Sequence, residues 1–426
     1  MRKQGQPSWK KMNDSIDRAF AINVVKRLTE EGFEALWAGG CVRDELLGLV
    51  PIDYDVATSA RPEQVRKIFP RTVAVGASFG VIDVIGPILP NGKPVLIQVA
   101  TFRADLGYTD GRRPDAIRYC SAREDALRRD FTINGMFFDP LSGKLVDYVE
   151  GQIDLKSKLL RAIGDPELRF AEDRLRMLRA VRIAPRFQLT IDASTRASII
   201  AHSDTLGAVS AERISDELRK IFNHPSRLEG MRLFIELGLA KQVLPEVFKG
   251  DETEGGQNIL AILGGLTSNA SFPLVLASVL QNLSKKNAYE ICRRLKLSNS
   301  ELAITCELVS LKDALLMPEK LRLCELKKLL ANPNIQDLLE LMQANLLGGD
   351  CDLNAVKFCR EKLALWNFDI LTPPQLIGGE ELKELGLKPG PKFKQILDFI
   401  RDEQLDGILK THQQAVLRAK ELEKLL

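Results

Sequence analysis

Histidine is scarce in this chain of 426 residues, which has only three, at positions 202, 224 and 412. A histidine-rich metal site or a Ser-His-Asp arrangement therefore has almost nothing to be built from. The seven cysteines are dispersed and include no Cys-x-x-Cys pair. This pattern argues against a disulfide framework and a structural zinc site, so we expect reduced, inert thiols.

Long apolar runs are also missing, and the longest, such as the stretch from Phe272 to Leu280, are too short to cross a bilayer. The N-terminal residues are polar and basic and lack the apolar segment of a secretory signal. We therefore expect a cytoplasmic protein without a membrane partner. The chain is longer than one hydrophobic core usually supports, which predicts two or more packed units.

The excess of positive charge is small, a formal +3, and does not by itself predict nucleic-acid binding. The distribution is more informative, because seven arginines fall between Arg161 and Arg186 and six between Arg112 and Arg129. Such clusters can offset phosphate charge along a groove. They can equally form solvated helix faces with internal ion pairs, and charge alone does not separate the two interpretations.

Short β-rich runs alternate with turn residues over about the first 150 residues, as at 35–38, 81–85 and 95–102. These runs predict one small sheet, mixed or antiparallel, flanked by helices. After Tyr148 the apolar pattern is helical almost throughout. The predicted fold class is α+β, with a sheet-containing head followed by an all-helical remainder.

The most informative segment is Gly39-Gly40-Cys41-Val42-Arg43-Asp44, followed closely by Asp53-Tyr54-Asp55. The glycines let backbone N–H groups approach phosphates, and residues Val42 to Gly48 are predicted to form a helix whose N-terminus faces them. Residues i and i+2 of a strand share a face, so Asp53 and Asp55 could bind one pair of Mg²⁺ ions. Such ions could hold a triphosphate and activate a ribose hydroxyl. Taken alone, an Asp-x-Asp pair is more often a solvated strand end or turn.

Two further segments accompany this one, Arg128-Arg129-Asp130-Phe131-Thr132-Ile133-Asn134-Gly135-Met136 and Glu172-Asp173-Arg174-Leu175-Arg176-Met177-Leu178-Arg179-Ala180-Val181-Arg182. With the three segments in this order, the chain resembles the class II tRNA nucleotidyltransferases and bacterial poly(A) polymerases, the family of the CCA-adding enzymes. The resemblance covers about residues 35 to 225 through specific motifs, and the rest more loosely. It implies a catalytic head over 1–155, a base-recognising helical neck over 156–225, a helical body over 226–340 and a tRNA-binding helical tail over 341–426.

The resemblance also implies roles for individual residues. Asp53 and Asp55 would be the catalytic carboxylates and the ligands of two Mg²⁺ ions, with ATP and CTP as substrates and tRNA as the partner. The nucleotide would be bound by residues of all three segments: Gly39, Gly40, Arg43, Arg128, Arg129, Asp130, Asn134, Asp173, Arg176, Arg179 and Arg182. Asp130 is expected to cap a helix that follows it. Asn134 is expected to contact the ribose, although local hydrogen bonding explains it equally well.

The third segment would choose the base. Asp173, Arg176, Arg179 and Arg182 recur every three residues and predict a polar stripe along one helix that ends early, near Pro185. In the family's pattern Asp173 accepts from the exocyclic amine of C or A, Arg176 donates to the adjacent ring nitrogen, and the oxygen of G or U is repelled. Arg179 and Arg182 would serve the triphosphate or the RNA backbone. Without the resemblance, the stripe is a surface helix with an Asp–Arg pair.

Related sequences commonly carry Glu where this chain has Gln98. A neutral amide can bind Mg²⁺ through its carbonyl oxygen but neither balances the charge nor accepts a proton. Either two carboxylates suffice here or the chemistry is slower. The polar, glycine-spaced segment 101–114 resembles the flexible loop of CCA-adding and A-adding members, which argues against an enzyme that adds only CC.

Four residues are candidate RNA contacts: Arg112, Arg113, Gly390 and Lys392. The last two precede an amphipathic C-terminal helix, where a plain turn between helices is the simpler explanation. Other glycine pairs match neither the Walker A nor the Rossmann pattern and are expected in loops. These pairs are Gly255-Gly256, Gly264-Gly265 and Gly378-Gly379.

The prediction is therefore a Mg²⁺-dependent, template-independent RNA nucleotidyltransferase that adds CCA, or only the terminal A, to the tRNA 3′ end. Addition of A alone would require a separate CC-adding enzyme upstream. A poly(A) polymerase of the same family is the nearest alternative, because the motifs are shared. A catalytically weakened RNA-binding protein is an alternative of another class, supported only by Gln98.

Overall fold

The computed structural model describes residues 15–74, 80–106, 116–248, 252–347, 353–386 and 390–425. These residues form two compact units. The first ends at Ile221 and also includes Glu229–Pro245, and the second comprises Phe222–Leu228 and Glu246–Leu426. The division into head, neck, body and tail is finer than these two units and stays a prediction.

The first unit combines strands with helices, as the fold class predicts. Its strands are β1 (Ala35–Ala38), β2 (Asp55–Thr58), β3 (Thr72–Val73), β4 (Val81–Ile88), β5 (Pro94–Thr101), β6 (Arg103–Leu106), β7 (Ala116–Tyr119), β8 (Phe137–Asp139), β9 (Lys144–Val146), β10 (Leu159–Leu160) and β11 (Thr190–Ile191). Its helices are α1 (Ile16–Glu30), α2 (Gly40–Leu46), α3 (Pro62–Ile68), α4 (Ala122–Leu127), α5 (Gly151–Lys156), α6 (Pro166–Glu172), α7 (Leu175–Arg186), α8 (Ala193–Ala201), α9 (Ala211–Phe222), α10 (Arg227–Glu236) and α11 (Leu239–Val243).

Seven of the strands form one mixed sheet in the order β3-β4-β5-β2-β1-β8-β9. Strands β2 and β5 run parallel, whereas the other neighbouring pairs run antiparallel. Two smaller pairs, β6 with β7 and β10 with β11, lie outside this sheet. The runs predicted at 35–38, 81–85 and 95–102 are confirmed as β1, β4 and β5.

The two faces of the sheet have different surroundings. Strands β4 and β5 bury Ile82, Val84 and Ile97 on one face, and helix α1 packs on that side. A Cβ atom on Gly86 would lie 2.6 Å from the Phe20 ring of α1, so glycine permits this close approach. The opposite face carries the candidate catalytic residues.

The Arg128-Arg129-Asp130 segment follows a helix and does not precede one, which corrects the capping role predicted for Asp130. Helix α4 ends just before the segment, and a single 3-10 turn, Thr132–Asn134, comes after it. The Asp130 carboxylate accepts from the Phe131 N–H at 2.8 Å and from the Asn134 amide at 3.1 Å. Asp130 closes this local turn because a short carboxylate can reach donors close to it in sequence.

Asp173 lies at a break between two helices, which corrects the prediction of one continuous stripe. It follows the last residue of α6 and precedes α7, where its Oδ1 atom accepts from the Leu175 N–H at 3.1 Å. A carboxylate is favoured there because it satisfies a free N–H at a helix start. The three arginines of the stripe lie on α7, which ends one residue after Pro185.

The second unit is helical over its described residues. Its helices are α12 (Glu252–Gly265), α13 (Phe272–Leu280), α14 (Lys285–Arg294), α15 (Asn299–Leu311), α16 (Leu323–Leu330), α17 (Ile335–Leu347), α18 (Asn354–Leu365), α19 (Phe368–Leu371), α20 (Gly379–Glu384), α21 (Pro391–Leu405) and α22 (His412–Leu425). The helical remainder of the predicted fold class is thereby confirmed for this region, whereas the predicted all-helical neck range contains the short parallel pair of β10 and β11. No helix in the described part of the chain is long and apolar enough to cross a membrane.

The placement of the glycine pairs in loops is wrong. Gly255-Gly256 and Gly264-Gly265 lie within α12, and of the pair Gly378-Gly379 only the first residue lies outside a helix, just before α20. A Cβ atom on Gly265 would lie 3.0 Å from the Ala344 Cα atom of α17. Glycine thus permits two helices to pack closely, which outweighs its low helix propensity.

Candidate active site

A cavity of about 620 Å³ opens in the first unit between the glycine turn, the start of β2, the segment after α4 and helix α7. Every head and neck residue predicted to act in catalysis or nucleotide binding lines it. These residues are Gly39, Gly40, Arg43, Asp53, Asp55, Arg128, Arg129, Asp130, Asn134, Asp173, Arg176, Arg179 and Arg182. The fold thus brings three distant sequence segments to one place.

The lining of the cavity is predominantly basic, with nine basic and five acidic side chains. Several of these were not predicted from the sequence: Asp44, Arg186, Arg213 and Lys220. Arginine presents a planar fork of N–H donors that matches phosphate oxygens. The composition therefore suits a polyanionic ligand such as a triphosphate.

The glycine turn depends on a backbone conformation that favours glycine. Gly39 has a φ angle of 75°, in the left-handed region, and immediately precedes helix α2. A Cβ atom there would lie 3.1 Å from the Arg129 Nη1 atom. Helix α2 begins at Gly40, two residues before the predicted start. Its first N–H groups, which lack helical partners, lie at the edge of the cavity.

Arg43 is held by three side chains around it. Its Nη1 atom donates to Asn134 Oδ1 at 2.6 Å, and its Nε and Nη2 atoms donate to Asp44 Oδ1 at 2.9 and 2.6 Å. The guanidinium also lies 3.9 Å from the centre of the Phe187 ring. Burial lowers the pKa of Arg43, and Asp44 opposes that effect. The guanidinium is therefore fixed in place before a ligand arrives.

Asn134 connects Arg43 to Asp130. Its Oδ1 atom accepts from Arg43, and its Nδ2 atom donates to Asp130 Oδ1 at 3.1 Å. Both ends of the amide are thus used within the protein, but only the bond to Asp130 is local, since Arg43 lies 91 positions away in the sequence. The ribose contact stays a prediction.

Asp53 and Asp55 form the acidic part of the cavity. Asp55 is the first residue of β2 and Asp53 lies two positions earlier, so the spacing that places both on one face is retained. Burial, reinforced by the charges of Asp53 and Asp83, raises the pKa of Asp55 to about 6 against the opposing effect of Arg129. Among the described residues, no group of three or more His, Cys, Asp or Glu side chains is placed to hold a metal ion.

A divalent cation fits the chemistry of this carboxylate pair. The charge of Asp53 raises the cost of ionising Asp55, and a bound cation would offset that cost. Carboxylate oxygens are the ligands that Mg²⁺ prefers. Gln98 is the neighbour of Asp55 in the parallel register of β2 and β5, so the two side chains lie on the same face of the sheet.

Asp125 holds both arginines of the second segment and was missed by the sequence analysis. Arg128 donates to its Oδ1 atom at 2.6 and 2.9 Å, and Arg129 donates to its Oδ2 atom at 2.9 and 3.1 Å. Burial would raise the pKa of Asp125, but the two guanidinium groups outweigh burial and lower it. The i,i+3 and i,i+4 spacings in the sequence could have identified this residue.

The carboxylate of Asp173 is engaged by Arg213, a residue of α9. Arg213 Nη1 donates to Oδ1 at 3.1 Å, and Nη2 donates to Oδ2 at 2.7 Å. This bidentate pair fixes the orientation of the carboxylate. Arg213 lies 40 residues further along the chain, and no local spacing in the sequence points to the pair.

Arg176, the second predicted base-recognising residue, is also held within the protein. Its Nη1 atom donates to Glu172 Oε2 at 2.7 Å and to the Arg169 carbonyl at 3.0 Å. Its Nη2 atom donates to the Arg128 carbonyl at 3.1 Å. The last of these bonds joins helix α7 to the segment that follows α4.

Arg179 and Arg182 line the cavity while each is paired with a carboxylate. Arg179 donates to Asp130 Oδ2 at 2.7 and 2.8 Å, and Arg182 donates to Glu217 Oε2 at 2.6 Å. Burial would raise the pKa of Asp130, but Arg179 and the local hydrogen bonds hold it well below its usual range. A guanidinium has five N–H groups, so an ion pair on one edge leaves the other edge for a ligand.

The structure describes two of the four predicted RNA contacts. Arg112 and Arg113 lie outside the described residues. Gly390 immediately precedes α21 in the second unit and Lys392 lies in its first turn, so their predicted position at a helix start is confirmed. Both are exposed. Their role in RNA binding stays a prediction.

Two family models match the chain. One, described as the poly A polymerase head domain, matches residues 35–161. The other, described as a probable RNA and SrmB-binding site of polymerase A, matches residues 188–250. The cavity residues of the glycine turn, of β2 and of the segment after α4 all lie within the first match.

Several curated proteins are similar to the chain over nearly its whole length. A CCA-adding enzyme of Limosilactobacillus fermentum is 32% identical over 408 residues, covering 93% of this chain and 94% of that protein. A CCA-adding enzyme of Lactococcus lactis subsp. cremoris is 32% identical over 405 residues, covering 95% of each.

Solved structures share the fold. The Bacillus stearothermophilus CCA-adding enzyme in complex with CTP has a TM-score of 0.76 at 24% identity, covering 97% of this chain and 100% of that one. The Thermotoga maritima CCA-adding enzyme complexed with tRNA has a TM-score of 0.64 at 21% identity, covering 98% of each.

Proposed function

Since the chain belongs to the class II tRNA nucleotidyltransferase and bacterial poly(A) polymerase family, we propose that its cavity extends the 3′ end of tRNA. The reaction adds CCA, or only the terminal A, from CTP and ATP without a nucleic-acid template. The terminal hydroxyl of the tRNA attacks the α-phosphorus of the nucleotide, and pyrophosphate leaves. The names of the relatives that match most of the chain favour tRNA as the substrate.

One observation carries this proposal. Asp53 and Asp55 line the same cavity as nine basic side chains. A triphosphate needs positive charge and N–H donors, whereas nucleotidyl transfer needs carboxylates at the reacting phosphate. The first turn of α2 and Arg43 supply the donors. Because Arg43 is already fixed by Asp44 and Asn134, little ordering is needed on binding.

The proposed cofactor is Mg²⁺, held by Asp53 and Asp55. When bound, it would stabilise charge on the phosphate and lower the pKa of the attacking hydroxyl. The protein's own part is to orient the nucleotide with Arg43, Arg128 and Arg129. Asp125 keeps the last two side chains in place.

Base selection is assigned to Asp173 and Arg176. A carboxylate accepts a hydrogen bond from the amine of C or A and repels the oxygen of G or U. Arg213 holds that carboxylate, so the incoming base has to share Asp173 with Arg213 or displace it. Arg213 thereby helps to set the strictness of selection.

A poly(A) polymerase is the second candidate, because the matching head model carries that description. The relatives over the full length favour tRNA. If only A is added, a separate CC-adding enzyme would act first. We place the reaction in the cytoplasm.

Extension of three tRNA transcripts tests the proposal. The transcripts end at the discriminator base, after one C and after both Cs, and an unrelated RNA is included. Each labelled nucleotide is supplied alone, and then CTP with ATP. The reactions are run once with Mg²⁺ and once with Mn²⁺. Asp53→Asn serves as the inactive control.

The products on a sequencing gel separate the candidates. Growth by CCA on the shortest tRNA is the result expected of full activity, and a single A on the CC-ended tRNA identifies an A-adding enzyme. Long A tracts on any RNA would assign poly(A) synthesis. No incorporation with either Mg²⁺ or Mn²⁺ would leave a weakened RNA-binding protein.

A further inference from the structure

Asp83, Gln98 and Asp55 occupy paired positions on three neighbouring strands. The parallel register of β2 and β5 pairs Asp55 with Gln98, and the antiparallel register of β5 and β4 pairs Gln98 with Asp83. Residues paired in this way point to the same face of the sheet, with Cβ atoms about 5 Å apart. The Gln98 amide is therefore flanked by a carboxylate on each side.

Asp83 has an oxygen without a donor. Its Oδ1 atom is buried and has no hydrogen-bond partner among the described residues. Such an atom costs free energy until a donor reaches it. The side chain of Gln98 is the paired neighbour, is exposed, and carries an NH₂ group that can donate.

An amide has one accepting end and one donating end. If Asp53 and Asp55 held a divalent cation, the Gln98 carbonyl oxygen could serve it and the NH₂ group would be left for another acceptor. The register places Asp83 on the side of Gln98 opposite to Asp55. One orientation of the amide then satisfies the cation and the unpaired oxygen of Asp83 together.

We propose that Asp83 is a positioning residue for Gln98. It accepts a hydrogen bond from the Gln98 NH₂ group, so that the Gln98 carbonyl oxygen becomes a third oxygen ligand beside Asp53 and Asp55. The inference rests on the proposed function, because it assigns a divalent cation to the two catalytic carboxylates. It also gives the amide a charged partner one strand away, as outer carboxylates do for metal-bound ligands.

The order of the strands places Asp83 and Gln98 on the side of β2 that is away from the glycine turn. Strand β1, which leads into the glycine turn, lies on one side of β2, and β5 and β4 lie on the other. In-line transfer requires the hydroxyl to enter opposite the leaving pyrophosphate. A hydroxyl that attacks opposite a triphosphate bound at the glycine turn would then enter on the side of Gln98 and Asp83.

The register also explains why an amide suits position 98. A glutamate there would lie between the carboxylates of Asp55 and Asp83. Like charges directly opposite one another destabilise a strand pair. A carboxylate at 98 should therefore destabilise the sheet less when position 83 is neutral.

Three variants test the proposal, Asp83→Val, Gln98→Glu and the double variant, with the exposed Asp398→Asn as control. Mn²⁺ binding is measured by electron paramagnetic resonance without nucleotide or RNA, and kcat and KM are measured in tRNA extension. We expect Asp83→Val to weaken Mn²⁺ binding and lower kcat about 10- to 100-fold, with little change in the KM for CTP. Gln98→Glu alone should lower the melting temperature and kcat.

The double variant is the decisive comparison. It carries a carboxylate at 98 beside a neutral residue, and we expect Mn²⁺ affinity and kcat within a few-fold of the wild type. A merely structural role for Asp83 predicts no such recovery. Valine suits a strand, so the variant should fold; if it does not, Asp83→Asn replaces it in the same comparison.

Three results would overturn the proposal. They are wild-type Mn²⁺ affinity in Asp83→Val, a double variant no better than Asp83→Val, and failure of the wild type to bind Mn²⁺. Normal Mn²⁺ binding without tRNA extension would count against the proposed function alone. The binding measurement therefore separates the two hypotheses.

Discussion

Replacing Asp55 by asparagine should stabilise the protein while abolishing nucleotide transfer. In the folded chain the pKa of Asp55 is raised from 3.8 to about 6, with burial as the largest cause and Asp53 as the next. Between these two values the native state holds a proton that the unfolded chain releases. The ionised carboxylate therefore lowers the free energy of unfolding increasingly as the pH rises from 3.8 to about 6, and by its full amount above that range.

The size of the effect follows from the shift. One pKa unit corresponds to about 1.4 kcal/mol, so the ionised carboxylate costs about 3 kcal/mol above pH 6. For a unit of this size that amounts to roughly 6 to 12 °C in melting temperature. At pH 8 without divalent cations, Asp55→Asn should melt higher than the wild type by that order. Near pH 4 the difference should be small.

Differential scanning fluorimetry across pH, with and without Mg²⁺, measures this effect. Excess Mg²⁺ should raise the melting temperature of the wild type and leave Asp55→Asn nearly unchanged. Asp130→Asn is the matched control with opposite sign, because Arg179 outweighs burial and lowers the pKa of Asp130. Equal melting temperatures of Asp55→Asn and wild type at pH 8, or a difference independent of pH, would refute the reasoning.

Three further substitutions have defined outcomes. Arg213→Gln leaves Asp173 without its bidentate partner. The preference for CTP and ATP over UTP, measured as kcat/KM in single-nucleotide extension, should therefore fall about tenfold. An unchanged preference would show that Arg213 has no part in base selection. Gly39→Ala combines a strained positive φ with a close contact to Arg129 and should lower kcat/KM at least tenfold. Gly32→Ala is its control, because the same strain occurs there with open space around the new Cβ atom, and it should lower only the stability. Lys392→Glu should raise the KM for tRNA and lower the slope of its logarithm against log salt concentration by about one, while the Kd of CTP stays unchanged. An unaltered KM for tRNA would exclude a phosphate contact at this position.

Local pattern in the sequence was sufficient where the chemistry is local. The glycine turn, the Asp53–Asp55 spacing and the strands β4 and β5 follow from periodicity and from residue type. The arginines of the second and third segments could be recognised as a cluster, and the structure places them around one cavity.

Some ion-pair partners in the third segment could not be predicted, because they are contributed by an element distant in the sequence. Glu217 meets Arg182 across 35 positions, and Arg213 meets Asp173 across 40. Such pairs are set by how helices α7 and α9 pack. Gly264-Gly265 was misplaced for a similar reason, since close packing against Ala344 overrides the usual association of glycine pairs with loops.

The hydrogen bonds from Arg43 through Asn134 and Asp130 to Arg179 have a thermodynamic consequence. The series runs from the glycine turn to helix α7, with distances of 2.6, 3.1 and 2.8 Å. A ligand that weakens the bond between Arg43 and Asn134 also changes the bonds from Asn134 and Arg179 to Asp130. The two ends of the series therefore share one coupling free energy. Ligand contacts made by Arg43 and by Arg179 are therefore linked quantities in this protein, and an exchange of the central amide should change the strength of that linkage.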